Sequence, residues 1–274
     1  MIVLLLLSIL LAVEAEFPRP FVQSYLNSTI YSGAASGSSS ILTSLLDLGG
    51  NIESLGHQGQ TAFLGAVENG HLEVAKLLLQ RGADPLVKSL AYEENALHLA
   101  VKNNQEHVIL WLPAKYYTAL IEEKNVFGNT PFNLAVIYGS LSTVEILFQR
   151  GCNIETKNNL GRTPFLNSCA YGHLEILKSL VKYGASISIK SGEKDSENTG
   201  LHLASYFGHV DIVQYLVAMK PSLISLKNGN GETPLYLAAY MGHEKIVQSL
   251  IVGNRQSQSI KDNMGLSPLH IAAR

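Results

Sequence analysis

Apolar residues recur along this chain in short blocks with helical spacing, and segments rich in glycine and asparagine separate the blocks. In one block, Val74, Leu77 and Leu78 share one face of a predicted α-helix. A shorter apolar segment precedes that block, and Gly70 stands between the two. Glycine tolerates the left-handed backbone of a tight turn because it lacks a Cβ. The pattern therefore predicts pairs of short helices, each pair too small to bury its own apolar face.

The paired blocks repeat with a period near 33 residues. Successive turn positions are spaced by 33, 34, 35, 33, 36 and 34 residues. The residues at these positions are Gly37, Gly70, Asn104, Gly139, Gly172, Gly208 and Gly242. Self-similarity at this period is typical of a solenoid, in which each unit packs on its neighbours and no single enclosed core exists.

A second element stands before each turn position except the first, as in Thr233-Pro234-Leu235-Tyr236. These six copies begin at Thr61, Asn95, Thr130, Thr163, Thr199 and Thr233, and a seventh begins at Ser267 near the end of the sequence. A threonine here can cap a helix, and a following proline fits the first helical turn. With the Gly-His turn and the Leu-Leu-x-x-Gly ending, the element resembles the ankyrin repeat over roughly residues 27–274. The resemblance implies an all-α repeat solenoid with β-hairpin-like finger loops between the helix pairs.

We divide the chain into a predicted signal peptide at 1–15, a lead-in at 16–26 and an array of about seven repeats plus a truncated eighth at 27–274. The third repeat departs from the pattern, because Pro113 stops its second helix and forces residues 114–123 onto a non-standard path. Residues 191–197 lengthen one finger with polar residues. We expect that fingertip to be mobile. The other polar finger residues are either the rim of a binding site or solvated turns.

The N-terminal segment favours the secretory pathway. Residues 2–13 are apolar except for Ser8, are too few to span a bilayer, and precede small residues that a signal peptidase accepts. Only the Met1 amine is positively charged there, so an apolar N-terminal helix or a mistaken start site is the alternative. If the protein is secreted, Asn27 is an N-glycosylation acceptor; otherwise it belongs to a polar turn. Ankyrin arrays are mostly intracellular, so the resemblance favours the cytoplasm instead.

The C-terminal segment starts another repeat that does not reach its second helix. Residues 263–273 match the beginning of the unit, and the chain stops at Arg274. Leu269 and Ile271 would then lack the neighbour that covers them elsewhere in the array. We therefore expect a fragment, or the front of a longer channel, toxin or signalling enzyme in which the array is regulatory.

Composition and motifs argue against catalysis. The net charge is −2, from 20 basic and 22 acidic residues without a like-charge block, which disfavours nucleic-acid partners. The resemblance assigns most histidines to hydrogen bonds between repeats. His243-Glu244 starts like a zinc-protease motif, but Val247 stands where the second ligand is required. Cys152 and Cys169 fit buried sites. We predict no enzyme activity, cofactor, metal or small-molecule substrate.

The remaining candidate site is a row of side chains at the ends of the first helices. The pair before each turn is polar or small in the early repeats and aromatic or apolar in the last four. The predicted partner-binding residues are Tyr138, Tyr171, Tyr206, Phe207, Tyr240 and Met241. Exposed aromatic rows are typical of binding hot spots. The alternative is that each ring packs on the next helix and closes the interior. We therefore predict a monomeric array that acts as a scaffold and binds a protein partner on its concave face.

Overall fold

The computed structural model describes residues 19–253 and 258–272. Within them the helices are α1 Arg19–Ala35, α2 Ser39–Asp47, α3 Ala62–Glu68, α4 Leu72–Gln80, α5 Ala96–Lys102, α6 Glu106–Trp111, α7 Ala114–Leu120, α8 Pro131–Tyr138, α9 Leu141–Gln149, α10 Pro164–Tyr171, α11 Leu174–Lys182, α12 Gly200–Phe207, α13 Val210–Met219, α14 Pro234–Tyr240, α15 Glu244–Gly253 and α16 Pro268–Ala272. Short 3-10 helices occur at His57–Gly59, Glu193–Asp195 and Pro221–Ser225. The signal peptide predicted at 1–15 lies outside the described residues.

The helices belong to two compact units, one ending at Pro131 and one beginning at Phe132. In the first unit α1 packs on α3 and α3 on α5, while α2 packs on α4. In the second unit α10 packs on α12, α12 on α14 and α14 on α16, while α13 packs on α15. In each unit, therefore, the first helices of successive repeats form one layer and the second helices another. This arrangement confirms the predicted all-α repeat solenoid.

The turn between the two helices of a repeat needs glycine for two reasons. All seven predicted turn positions have a positive φ, from 55° at Asn104 to 86° at Gly208. The histidine after the next turn also approaches closely: a Cβ on Gly139 would lie 2.6 Å from a ring atom of His173, and one on Gly208 would lie 2.8 Å from His243. Glycine thus provides both the left-handed turn and the space for the following repeat.

Those histidines connect one repeat to the preceding one. Each donates from Nε2 to a backbone carbonyl near the end of the preceding first helix, at 2.9–3.1 Å. The pairs are His71 with Ala35, His173 with Ile137, His209 with Ala170 and His243 with Tyr206. These bonds satisfy carbonyls that the ends of the helices leave unpaired. The role that the resemblance assigned to these histidines is confirmed.

The third repeat reaches the same contact with different residues. Asn104 adopts the left-handed turn in place of glycine, and Gln105 Nε2 donates to the Glu68 carbonyl at 3.3 Å in place of histidine. Helix α6 then ends before Pro113, and α7 follows directly. Helix α7 packs on α5 and buries Tyr117. The non-standard path predicted for residues 114–123 is thus largely an additional short helix.

The fingers are tight turns, and hydrogen bonds made by their polar side chains hold the turn backbone in place. In several fingers an N–H donates to the carbonyl four residues later, as from Asn158 to Arg162 at 3.0 Å and from Asn228 to Glu232 at 2.9 Å. The Oδ1 of Asn228 also accepts from the N–H groups of Asn230 and Glu232, both at 3.0 Å. Asn228 is buried. Such asparagines are structural, and the expectation that they are merely solvated is wrong for Asn228.

The N-terminal segment contributes a long helix. Helix α1 begins at Arg19, inside the segment 16–26 that we expected as a lead-in. It buries Leu26 and Ile30. Asn27 lies within the helix and not in a turn, and its Oδ1 accepts from the Asn51 N–H at 2.9 Å. Among the residues that the structure describes, no helix has the length and apolar character needed to cross a bilayer.

Candidate functional site

The predicted row of side chains lies at the ends of α8, α10, α12 and α14 in the second unit. Five of the six side chains belong to residues that are 41–63% exposed. These are Tyr138, Tyr171, Phe207, Tyr240 and Met241. The structure thus leaves most of the predicted row accessible.

Tyr206 is the exception in the row. It is half-buried and packs against a cluster formed by Tyr236, Leu237 and Ile271. Its ring meets the Phe207 ring edge-to-face, with the centroids 5.0 Å apart. The alternative considered from the sequence, a ring that closes the interior between repeats, therefore applies to Tyr206. Tyr206 is thus a wall of the site and not an exposed anchor.

A recess of about 470 Å³ lies beside this row. It is bounded by residues of α12 and α14 and by three fingers. Its walls include Arg162, Asp195, Tyr206, Phe207, Glu232 and Tyr240. This volume falls in the range of pockets that bind small groups or side chains, ~300–1,000 Å³. The recess combines aromatic rings with one cation and two carboxylates.

One side of the recess is closed by an ion pair between neighbouring fingers. Arg162 Nε lies 2.5 Å from Asp195 Oδ2, and Arg162 Nη2 lies 2.6 Å from Asp195 Oδ1. Both side chains are nearly buried, at 11% and 12% exposure. The Arg162 guanidinium also lies 6.0 Å from the centroid of the Phe207 ring. This bidentate pair attaches the lengthened finger, which we expected to be mobile, to the preceding finger. A hydrogen bond from the Gly192 N–H to the Leu160 carbonyl at 2.9 Å joins the same two fingers.

Glu232 lines the same recess and, among the described residues, has no such cation. Its Oε2 accepts from Asn228 Nδ2 at 2.8 Å and from Asn230 Nδ2 at 3.4 Å. No salt bridge to Glu232 occurs within residues 19–253 and 258–272. The side chain is half-buried. Since Arg162 is paired with Asp195, the recess retains one uncompensated negative charge. Sequence reasoning did not identify Glu232, because it occupies an ordinary finger position.

A second, smaller recess adjoins the first one in the same unit. It measures about 360 Å³ and is lined by Arg162, Ala170, Tyr171, Phe207 and His209. Arg162 and Phe207 line both recesses and therefore separate them. The predicted residues Tyr171, Phe207 and Tyr240 are thus brought together along one surface, which we call the aromatic face.

The first unit presents an apolar surface on its fingers that sequence reasoning missed. Leu90, Tyr92, Val126 and Phe127 are exposed there. The Tyr92 and Phe127 rings stack with their centroids 6.3 Å apart, and the Val126 N–H donates to the Tyr92 carbonyl at 3.0 Å. These residues lie in the finger segments, which the helical spacing of apolar residues does not describe.

Three residues of types that can act in catalysis, Cys169, His98 and His202, are fully buried. Burial raises the pKa of the Cys169 thiol and lowers the pKa of His98 and His202 to about 4. His98 Nε2 donates to the Asn129 carbonyl at 2.9 Å, and His202 Nε2 donates to the Glu232 carbonyl at 3.1 Å. In the part of the chain that the structure describes, no three His, Cys, Asp or Glu side chains are grouped as metal ligands.

Comparison with known proteins identifies the repeats. A family profile described as ankyrin repeats (3 copies) matches residues 30–117, 97–191, 132–224 and 201–274. The Notch-regulated ankyrin repeat-containing protein of Xenopus tropicalis is 38% identical over 98 residues, which cover 35% of this chain and 83% of that protein. An ankyrin repeat protein of Rickettsia felis is 25% identical over 134 residues, which cover 48% of this chain and 44% of that protein.

A plant relative carries an enzyme name. A protein of Oryza sativa subsp. japonica named as an E3 ubiquitin-protein ligase is 29% identical over 156 residues. The match covers 47% of this chain and 32% of the rice protein. The chain thus spans less than half the length of both the Rickettsia and the rice relatives.

Proposed function

This chain belongs to the ankyrin repeat family, and on that premise we propose that it is a non-catalytic scaffold that binds a partner protein through the aromatic face of its second unit. Ankyrin repeats generally mediate protein–protein interactions, and the family is generally non-catalytic. The face that we propose for binding lies between the ends of the first helices and the fingers of the second unit, and we propose that it is the concave binding face that the family resemblance implies. The array acts as a monomer in this proposal.

The observation that carries the proposal is the exposure of Tyr138, Tyr171, Phe207, Tyr240 and Met241 in one row. Large side chains bury much apolar area on binding and lose few rotamers, so they contribute most of the affinity at many interfaces. The fold supports this role because helix ends and hydrogen-bonded fingers fix the row before a partner arrives. A preformed surface lowers the entropy cost of association.

We predict that the double variant Phe207→Ala/Tyr240→Ala loses at least about tenfold in partner affinity. Both side chains are exposed, so their removal costs little folding stability. The tagged full chain is used for affinity capture from cells that express it, with quantitative mass spectrometry. A protein enriched by the wild type is then purified and its affinity for each variant is measured by calorimetry.

The matched control is Tyr25→Ala, which removes a tyrosine of similar exposure from the first unit. The control should capture the same protein with unchanged affinity, and circular dichroism should give equal helicity for all variants. Equal binding by the wild type and the double variant would refute the aromatic face as the binding site.

The alternative proposal is that the array serves a longer protein as its regulatory or tethering part. The supporting observation is that the rice relative aligns over 32% of its length, so a similar array occurs within a longer protein that is named as an enzyme. In this case the partner that the aromatic face binds would recruit or control another domain. Sequencing of the full transcript tests this alternative.

We further propose entry into the secretory pathway, on the apolar residues 2–13 and the acceptor Asn27. Intact-mass spectrometry of protein made in eukaryotic cells should then show loss of residues 1–15 and a glycan on Asn27 that Asn27→Gln abolishes. The glycan has to form on Nδ2 while the Oδ1 stays bonded to Asn51. A chain that retains residues 1–15 and carries no glycan would instead support the cytoplasm.

A further inference from the structure

We propose that the recess beside Tyr240 receives a lysine or arginine side chain of a protein partner. The proposal rests on the protein-binding function above and names the chemistry that this surface recognises. Three features carry it: the unpaired charge of Glu232, the aromatic walls, and the way in which the recess already holds a cation of its own.

The charge of the recess is the first feature. Its two carboxylates are Asp195 and Glu232, and its one cation is Arg162. Arg162 is bonded through two nitrogens to both oxygens of Asp195. Among the described residues, the Oε2 of Glu232 accepts from the neutral side-chain amides of Asn228 and Asn230. A cation in the recess would therefore complete the charge balance, whereas a carboxylate or phosphate would be repelled.

The aromatic walls are the second feature. Tyr206, Phe207 and Tyr240 line the same recess as Glu232. Aromatic faces attract Lys and Arg side chains through the ring quadrupole and also cover the apolar stems of these side chains. A site that offers a carboxylate for the charge and rings for the stem discriminates a basic side chain from a purely apolar one.

The third feature is the mode in which Arg162 is held. Its guanidinium is bonded to a carboxylate and lies 6.0 Å from the centroid of the Phe207 ring. The recess lining offers these two kinds of group a second time, with Glu232 as the carboxylate and Tyr206 and Tyr240 as the rings. Within the described residues, that second combination has no cation. The recess of about 470 Å³ leaves room for one.

The test uses small probes, because the partner is not identified. The full ¹⁵N-labelled chain is titrated with N-acetyl-arginine-N-methylamide and with N-acetyl-lysine-N-methylamide at constant ionic strength. Both probes should cause saturable shifts at the amides of residues 203–207, 228–232 and 236–240, with millimolar affinity. The neutral isostere N-acetyl-citrulline-N-methylamide should bind at least about threefold more weakly, since it lacks the charge.

Two substitutions with matched controls locate the binding. Glu232→Gln keeps the acceptor for the asparagine amides and removes the charge, so the Kd for the arginine probe should rise by about threefold to tenfold. Glu193→Gln makes the same charge change at an exposed position of the neighbouring finger and should leave the Kd unchanged. Tyr240→Leu should raise the Kd similarly, while Tyr25→Leu should not.

Equal shifts from the arginine and citrulline probes, or shifts confined to other residues, would overturn the proposal. Preference for an apolar probe such as N-acetyl-leucine-N-methylamide would identify an apolar side chain as the occupant and also overturn it. Failure of this proposal can be distinguished from failure of the proposed protein-binding function. If Phe207→Ala/Tyr240→Ala loses partner binding while Glu232→Gln retains it, the aromatic face binds the partner and the basic-residue proposal alone fails.

Discussion

Acidification from pH 7 to pH 4 should destabilise each unit by about 3 kcal/mol through one buried histidine. His98 in the first unit and His202 in the second have their pKa lowered by burial from 6.5 to about 4. Between pH 6.5 and pH 4 the unfolded chain therefore binds more protons than the folded chain. The contribution of each histidine to the free energy of unfolding is fully present above pH 6.5 and is lost as the pH falls towards 4. At about 1.4 kcal/mol per pH unit, the interval between these two pKa values gives a loss of about 3 kcal/mol.

The geometry explains why protonation is unfavourable at these positions. His202 Nε2 donates to the Glu232 carbonyl, and its Nδ1 accepts from the Thr199 N–H at 3.3 Å and lies 2.7 Å from the Thr199 hydroxyl. A proton on Nδ1 would remove that acceptor at the cap of α12 and would place a charge in a fully buried site. The neutral ring therefore stabilises the join between two repeats.

The measurement compares urea unfolding of the wild type, His98→Gln and His202→Gln at several pH values. Each glutamine variant should be less stable than the wild type at pH 7, and the difference should narrow by up to about 3 kcal/mol at pH 4. Cys169→Ala is the control, because it replaces a buried neutral group and its difference from the wild type should not depend on pH. A pH-independent difference for the histidine variants would contradict the assignment.

The scaffold was predictable from the sequence because each structural requirement repeats. A left-handed turn recurs at every predicted position, and Gly208 shows why: the turn needs a positive φ and the His243 ring occupies the space that a Cβ would fill. Hydrogen bonds from histidine to the preceding repeat follow the same spacing. A pattern that repeats seven times fixes both the helices and their order, so local signals suffice.

The candidate site depends on contacts that do not repeat. Arg162 and Asp195 are 33 positions apart and lie on two different fingers, and only the lengthened finger brings them together. The exposure of Phe207 and the partial burial of Tyr206 are set by how α12 rotates against α14, which the residue types alone do not determine. For the same reason the charge of Glu232 and the apolar fingers around Phe127 became visible only in the structure.

Substitution of two phenylalanines by alanine compares the loss of folding stability at a core position with the loss at a position on the proposed binding surface. Phe165 in α10 is fully buried, whereas Phe207 in α12 is 45% exposed. Phe165→Ala should cost about 3–5 kcal/mol, because a cavity forms where the ring packs on the start of α12. The ring lies close enough there that a Cβ on Gly200 would come within 2.9 Å of Phe165 Cε1.

The same truncation at Phe207 should change the free energy of unfolding by less than about 1 kcal/mol. Urea unfolding followed by circular dichroism compares the two variants, with the wild type measured at the same pH. If Phe165→Ala unfolds with nearly wild-type stability, α10 and α12 do not depend on each other for burial, and the stacked arrangement of the second unit would be wrong. If Phe207→Ala is as destabilising as Phe165→Ala, that ring belongs to the core, and the aromatic face loses the residue that lines both of its recesses.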